Sequence, residues 1–209
     1  AKDLTLDADG NYAEAKRYYK VVEVKGQENC IEYDETPYNI TVTLKDNKLG
    51  KIVVIANPKE DTYNFKNTYK TKGDITFSGK KTLNNRTLKK DEFTFELYET
   101  DATFAVADTD KPLLTATNEE NGDYAFDALT YTGEDDLSKD TDGPFIETKK
   151  YYRVIEKKGT DKSVTYSTVK YDITVTLKDD TNGKIETTRV IKKITDAYGA
   201  PISAEAQKA

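Results

Sequence analysis

The chain repeats part of itself, and this repeat limits the folds available to it. Residues 18–52 align without a gap with residues 151–185, at a constant offset of 133. Of the 35 aligned positions 18 are identical, and Ile40–Asp46 recurs unchanged as Ile173–Asp179. Self-similarity at a fixed period is typical of a duplicated unit. The sequence therefore predicts two related domains.

The two copies do not begin and end at the same point of the repeat. Residues 71–150 precede the shared block of the second copy, whereas little precedes Tyr18 in the first. The first copy continues into residues 63–69, and the second has no matching segment. We therefore expect residues 1–70 to be the C-terminal part of one domain. Residues 71–209 are then a second domain that lacks its last strand.

The shared block and its surroundings have the pattern of β-strands. Apolar and polar residues alternate in residues 93–97 and 173–177, which is the period of a half-buried strand. Asn-Gly pairs at 121–122 and 182–183 predict hairpin turns. Short strands with frequent turn signals predict an all-β sandwich.

Composition excludes several classes of function. The 209 residues include no His and one Cys, so a Ser–His–Asp or Cys–His catalytic arrangement cannot form. A zinc site would need carboxylates and a single thiol, and no metal or other cofactor is predicted. The net charge is −6, with 32 basic residues interspersed among 38 acids, which argues against a nucleic-acid partner. No apolar run is long enough to cross a membrane as a helix.

Residues 132–150 are acidic and rich in turn-forming residues. They fall in the stretch that lengthens the second copy. We predict that this segment is a surface loop.

Four polar side chains fall on apolar strand faces. Lys81 alternates in phase with Ile75 and Phe77, whereas Lys80 is out of phase. Glu156 shares a face with apolar and aromatic residues in the second copy, and Glu23 does so in the first. Asn67 is in phase with the aromatic residues of the segment 63–69.

An inward-facing Lys, Glu and Asn are costly to bury singly, but together they suggest one reaction. Burial favours the neutral forms of an amine and a carboxyl, and a neutral amine is a nucleophile. A protonated Glu would polarise the Asn carbonyl and pass its proton to the leaving ammonia. The product is a Lys–Asn amide that forms once. From the residues alone, a buried salt bridge remains the alternative.

The order of the motifs resembles a known family. Lys80-Lys81-Thr82-Leu83 followed by residues 91–98 (DEFTFELY) is similar to the opening of the streptococcal-type pilin isopeptide linkage domains. These FctA-like domains are relatives of the Cna B-type domains. Residues 122–126, 151–156 and 171–175 continue the pattern in order, and residues 65–69 resemble its closing F-x-N-x-Y strand.

The resemblance implies an Ig-like sandwich whose first and last strands are joined by an isopeptide. It implies that Lys81 is the reactive amine, that Glu156 and Glu23 are the catalytic acids, and that Asn67 is the acceptor. Apart from this single turnover within the molecule, no enzyme activity is implied. The family's members are extracellular proteins of Gram-positive cell walls and pili.

Neither copy holds all three residue types. The first has Glu23 and Asn67 without a first-strand Lys, and the second has Lys81 and Glu156 but no Asn after Asn182. Either further segments flank these residues, or the repeat spans a domain junction in a longer array. The third option is strand complementation, in which neighbouring repeats or subunits of the same protein complete each other.

Three functions fit these observations. The first is a structural module of a pilus or adhesin stalk that forms its own crosslinks, which the tandem repeat favours. The second is a ligand-binding adhesin domain that uses the acidic segment or exposed Tyr residues. The third is an accessory sandwich domain on an extracellular enzyme.

Overall fold

The chain folds into strands in two compact units. The computed structural model describes residues 3–58, 63–107, 111–139 and 143–194. The units are Ala1–Tyr69 and Lys70–Ala209, called unit 1 and unit 2 below. Several β-sheets and one four-residue helix account for the regular structure of the described residues. The prediction of an all-β, Ig-like class of fold is confirmed.

Unit 1 consists of a three-stranded antiparallel sheet and a short strand pair. The sheet has the order β1-β3-β4, and β2 pairs with β5. The strand bounds are β1 Ala15–Val21, β2 Ile31–Glu32, β3 Tyr38–Asp46, β4 Ile52–Asn57 and β5 Thr68–Tyr69. A tight turn joins β3 to β4, in which the Asn47 side chain accepts from two backbone N–H groups and Gly50 has a φ of +77°.

Unit 2 has a five-stranded sheet on one side of its core, with the order β16-β15-β14-β8-β9. Shorter antiparallel pairs, β6 with β11, β7 with β10 and β12 with β13, make up the rest of the unit. The bounds are β6 Lys72–Ile75, β7 Ser78–Lys80, β8 Thr94–Thr100, β9 Leu114–Thr117, β10 Asp123–Ala125, β11 Leu129–Thr132, α1 Gly133–Asp136, β12 Ser138–Lys139, β13 Phe145–Ile146, β14 Thr148–Glu156, β15 Lys170–Asp179 and β16 Ile185–Lys193.

The core of unit 2 lies between these layers. Leu97, Val175 and Leu177 of the large sheet have no exposed surface. Residues Ile75, Phe77 and Phe126 come from the other layer and belong to the same buried cluster. Alternate residues of the long strands face this cluster, as the period-two pattern predicts.

The repeated block has the same strand register in both units but a different environment. Ala15 pairs with Leu44 in unit 1, as Thr148 pairs with Leu177 in unit 2. However, Tyr19 is 55% exposed, whereas its counterpart Tyr152 is 2% exposed. The opposite layer, which contains the β6–β11 and β7–β10 pairs, covers Tyr152, and the described residues of unit 1 contain no counterpart of that layer. Half of a sandwich therefore leaves its inner face open.

Two local predictions are wrong. Residues 132–150 are not a continuous loop, because they contain α1 and the β12–β13 pair, although residues 140–142 lie outside the described residues. Thr132 caps the short helix by accepting the N–H of Asp135. The turn at 121–122 does not close a hairpin, because it leads from β9, which pairs with β8, to β10, which pairs with β7.

Candidate functional site

Unit 2 holds the Lys81–Glu156 pair away from solvent. Lys81 directly follows β7 and is fixed by its backbone N–H, which donates to the carbonyl of Gly122 at 2.7 Å. Its Nζ donates to Oε2 of Glu156, the last residue of β14, also at 2.7 Å. The two side chains are 10% and 5% exposed, whereas that of Lys80 is 66% exposed and lies near Asp123. Strand alternation thus places the amine of Lys81 inside.

The surroundings of this pair combine an aromatic ring and a backbone donor. The Lys81 Nζ lies 4.1 Å from the ring centroid of Phe93. The backbone N–H of Ser167 donates to Oε1 of Glu156 at 3.1 Å. An open cleft of about 760 Å³ borders the pair, and Val164, Tyr166 and Ser167 line its wall. The Lys81 and Glu156 side chains therefore lie at the wall of this cleft.

Unit 1 holds the Glu23–Asn67 pair. The Asn67 Nδ2 donates to Oε1 of Glu23 at 2.6 Å, and the backbone N–H of Asp34 donates to Asn67 Oδ1 at 2.9 Å. Asn67 precedes β5, which pairs with β2, and the Asp34 carboxylate accepts the N–H of Lys66 at 3.1 Å. These contacts hold the carboxamide in one orientation, since an N–H must meet its oxygen and a carboxylate must meet its NH₂ group.

The second carboxylate oxygen of Glu23 is buried, and the described residues give it no hydrogen-bond partner. A buried acceptor without a donor is costly, so it marks a position where a donor is missing. The equivalent oxygen in unit 2 carries the Lys81 ammonium. The Oε2 atom of Glu23 therefore has room in its hydrogen-bonding for one more donor.

Asn67 is more open than the sequence suggests. The alternation in 63–69 predicts that it faces inward, but Asn67 is exposed while Tyr63 and Phe65 are half-buried. Phe65 packs edge-on against Tyr38, with ring centroids 5.2 Å apart, and this contact anchors the segment. The carboxamide remains exposed because the described residues of unit 1 include no first-strand layer to cover it.

The offset of 133 shows that the Glu residues of the two pairs occupy equivalent positions of the repeat. It maps Glu23 onto Glu156 and Asp34 onto Ser167. Unit 2 shows how the amine meets the carboxylate, and unit 1 shows how the carboxamide meets the same carboxylate. The two carboxylate oxygens are used differently, because Oε2 takes the lysine and Oε1 takes the amide nitrogen. A Glu at this position therefore has one oxygen for an amine and another for a carboxamide.

Sequence reasoning identified the side chains but missed the backbone donor at 34 and 167. A backbone N–H carries no residue-type signal. The one indirect signal is the Gly and Tyr that both copies share seven residues apart, Gly26 with Tyr33 and Gly159 with Tyr166. Each Tyr ring lies so close to its Gly that an added Cβ would come within 2.2 or 2.3 Å of the Tyr Oη.

No group of three or more metal-ligating side chains occurs within the ranges that the structure describes. Over the same ranges, no helix is long and apolar enough to cross a membrane.

Comparison with known proteins identifies a family for the chain. The family model FctA, the Spy0128-like isopeptide-containing domain, matches residues 2–70 and 77–202. This family indicates a pilin-type structural domain. The chain belongs to the FctA family, as the resemblance predicted. No curated protein matches the chain. Pilin domains of this family belong to Gram-positive surface pili.

The floor of the cleft gives a prediction about pH. Tyr124 stacks on Phe95, with ring centroids 3.6 Å apart, and burial raises its pKa from 10.0 to about 12, with the charges of Tyr171 and Glu156 adding to the shift. The unfolded chain therefore loses this proton at a lower pH than the folded chain. Its contribution to stability is complete below pH 10 and is lost as the pH rises towards 12.

We expect the Tyr124→Phe variant to lose less stability than the wild-type chain between pH 10 and pH 12. The difference in slope approaches about 1.4 kcal/mol per pH unit, the value for one proton. Urea unfolding at a series of pH values measures it. If the free energy of unfolding falls equally with pH in the two proteins, the raised pKa of Tyr124 is contradicted.

Proposed function

We propose that the chain is a structural module of a Gram-positive pilus or adhesin stalk, working outside the cell, whose domains are closed by Lys–Asn isopeptide bonds that they form themselves. The observation that carries the proposal is the complementarity of the two sites. Lys81 occupies one oxygen of Glu156, and Asn67 occupies the other oxygen of the equivalent Glu23.

The reaction follows from this arrangement. Within the pair, Lys81 first passes a proton to Glu156, and its Nζ then attacks the carboxamide carbon of an Asn, so that a new C–N bond forms. The bond from that carbon to the original amide nitrogen breaks. Glu156 takes the proton from the attacking amine and delivers one to the leaving nitrogen, which departs as ammonia. The carboxyl returns to its starting state, but Lys81 is consumed, so the site acts once.

Each unit needs a partner segment to complete its site. Unit 2 needs a strand that carries an Asn, and unit 1 needs a strand that carries a Lys. We propose that neighbouring repeats or subunits of the same protein supply these strands by complementation. The segment that contains Asn67 is itself the pattern for the strand that unit 2 accepts.

Such a bond would stabilise the module in two ways. Closing a loop of about 100 residues is worth roughly 4–5 kcal/mol if the chain-entropy estimate for disulfides applies. A crosslink between first and last strands also carries a pulling force through covalent bonds and shields the hydrogen-bonded strands between them. A stalk with one Cys gains by amides what other extracellular domains gain by disulfides.

The test supplies the missing strand as a peptide. The full chain carrying Asn67→Ala is mixed with a synthetic peptide of residues 63–70, so that the peptide is the source of this Asn. We expect a conjugate with the summed mass of the two less one ammonia, and peptide mapping should place the bond at Lys81. Intact-mass spectrometry over time measures both.

Two matched variants decide the outcome. Lys81→Arg keeps a charge for Glu156 but should give no conjugate, whereas Lys80→Arg should react like the parent chain. A peptide with Asn67→Ala should also fail to react. Conjugation by the Lys81→Arg chain, or none by the parent chain, would overturn the proposed function.

A further inference from the structure

We propose that the backbone N–H of residue 167 in unit 2, and of residue 34 in unit 1, is the oxyanion donor of the amide-forming reaction. This inference rests on the proposed function and adds a catalytic group to it. Neither the family match nor the Lys, Glu and Asn pattern assigns a role to these two positions.

Unit 1 shows the contact with the reacting carbonyl. The N–H of Asp34 lies 2.9 Å from Oδ1 of Asn67, whereas Glu23 contacts the amide nitrogen of the same side chain. From the sequence, the Glu was expected both to polarise the Asn carbonyl and to pass a proton to the leaving ammonia. The structure divides them, with the carboxyl at the leaving nitrogen and a backbone donor at the carbonyl oxygen.

Unit 2 shows the same donor before an acceptor strand is seated. There the N–H of Ser167 donates to Oε1 of Glu156 at 3.1 Å, which is the oxygen that takes the amide nitrogen in unit 1. An arriving Asn therefore displaces Ser167 from Glu156 and offers its own carbonyl oxygen in exchange. Every donor and acceptor in the group remains paired after the exchange.

Residues 34 and 167 have different side chains, so the function that they share is inferred to come from the backbone N–H. Asp34 and Ser167 are equivalent by the offset of 133. The Asp34 side chain accepts backbone N–H groups of Thr36 and Lys66, whereas the Ser167 Oγ accepts that of Val169. In both units the side chain of this residue stabilises the local loop. Its backbone N–H is therefore available to donate a hydrogen bond within the Glu site.

The electron movements give this N–H its role. When the Lys amine adds to the carboxamide carbon, the pair of electrons in the C=O bond moves to oxygen, which becomes negatively charged. A donor at about 2.9 Å from that oxygen stabilises this charge more than it stabilises the neutral carbonyl. The charge returns to form the new amide carbonyl as ammonia leaves. The balance needs no reagent beyond the amine, the carboxamide and the Glu proton.

The test removes one hydrogen-bond donor. Residue 167 of the full-length Asn67→Ala chain is replaced by lactic acid, which puts an ester oxygen in place of the N–H, and Ser167→Ala is the matched control that keeps the N–H. At saturating peptide of residues 63–70, we expect the ester chain to react about 10²–10³-fold more slowly than the control, the usual loss for one oxyanion donor. The peptide concentration that gives half the maximal rate should change little.

Rates for the two chains within threefold of each other would overturn the inference, as would a loss confined to the half-saturating concentration. Failure of both the parent chain and Ser167→Ala to conjugate would instead overturn the proposed function, and this inference with it.

A second measurement covers the case in which the ester chain does not fold. In the unreactive Lys81→Arg chain labelled with ¹⁵N-serine, we expect the Ser167 amide resonance to shift when the Asn peptide binds, and not with the Asn67→Ala peptide. A Ser167 resonance that the Asn peptide leaves unmoved would overturn the inference.

Discussion

Replacing Glu156 with Ala should lower the free energy of unfolding of unit 2 by about 3–5 kcal/mol, because it breaks a buried ion pair by removing one partner. Lys81 would keep its position over Phe93 with no carboxylate to neutralise it, and the N–H of Ser167 would lose its acceptor. Hydrogen exchange of the β14 and β15 amides measures the loss in unit 2 itself.

A double variant distinguishes the destabilisation caused by an unpaired buried charge from the net contribution of the ion pair to stability. Lys81→Met with Glu156→Leu removes both charges and keeps apolar volume, and such replacements are often neutral or stabilising. We expect its protection to lie close to that of the wild-type chain. A Glu156→Ala chain that exchanges at the wild-type rate would show that the pair is not desolvated as described.

The second large effect concerns the Tyr-Tyr motif that both copies contain. Tyr152→Ala should destabilise unit 2 by about 3–5 kcal/mol, the usual cost of truncating a buried aromatic side chain. Tyr152 lies against Phe77, with ring centroids 5.6 Å apart, and its hydroxyl is 2.9 Å from that of Tyr131. The truncation therefore opens a cavity and leaves a second buried hydroxyl without its partner.

Tyr19→Ala is the matched control, because it makes the same change at the same register position of unit 1. Tyr19 is more than half exposed, so we expect a loss below about 0.5 kcal/mol. Urea unfolding of both variants measures the contrast. Equal losses would mean that Tyr19 is covered in the protein, as it would be after strand complementation.

Much of the fold follows from local pattern. The alternation around Phe95 and Ile173 identifies central strands of unit 2, and the out-of-phase neighbours Lys80 and Lys81 have opposite exposures. Period-two alternation determines which side chains share a face, and that is sufficient to select Lys81 and Glu156. The matching strand registers of the two units were similarly implied by the ungapped alignment.

The features that the sequence did not predict depend on which residues pack against a strand from the opposite layer. The local sequence pattern carries no information about those residues. Tyr19 and Tyr152 occupy the same motif, yet only Tyr152 is covered by a second layer. The capped turn at Gly133–Asp136 depends on the Thr132 hydroxyl and on packing of Gly133 against Phe145. The partner of the Asn67 carbonyl is a backbone N–H, and any residue type except Pro could supply it.

The paired contacts on the Asn67 carboxamide have a consequence for the fidelity of assembly. A strand that slips by one residue turns every side chain to the opposite face, so that Lys66 or Thr68 would point where Asn67 should be. Neither side chain offers both an oxygen for the backbone N–H and a leaving nitrogen for the Glu. Under the proposed chemistry, a misaligned strand forms no isopeptide bond and remains free to dissociate. Only strands that bind in the native register are therefore crosslinked.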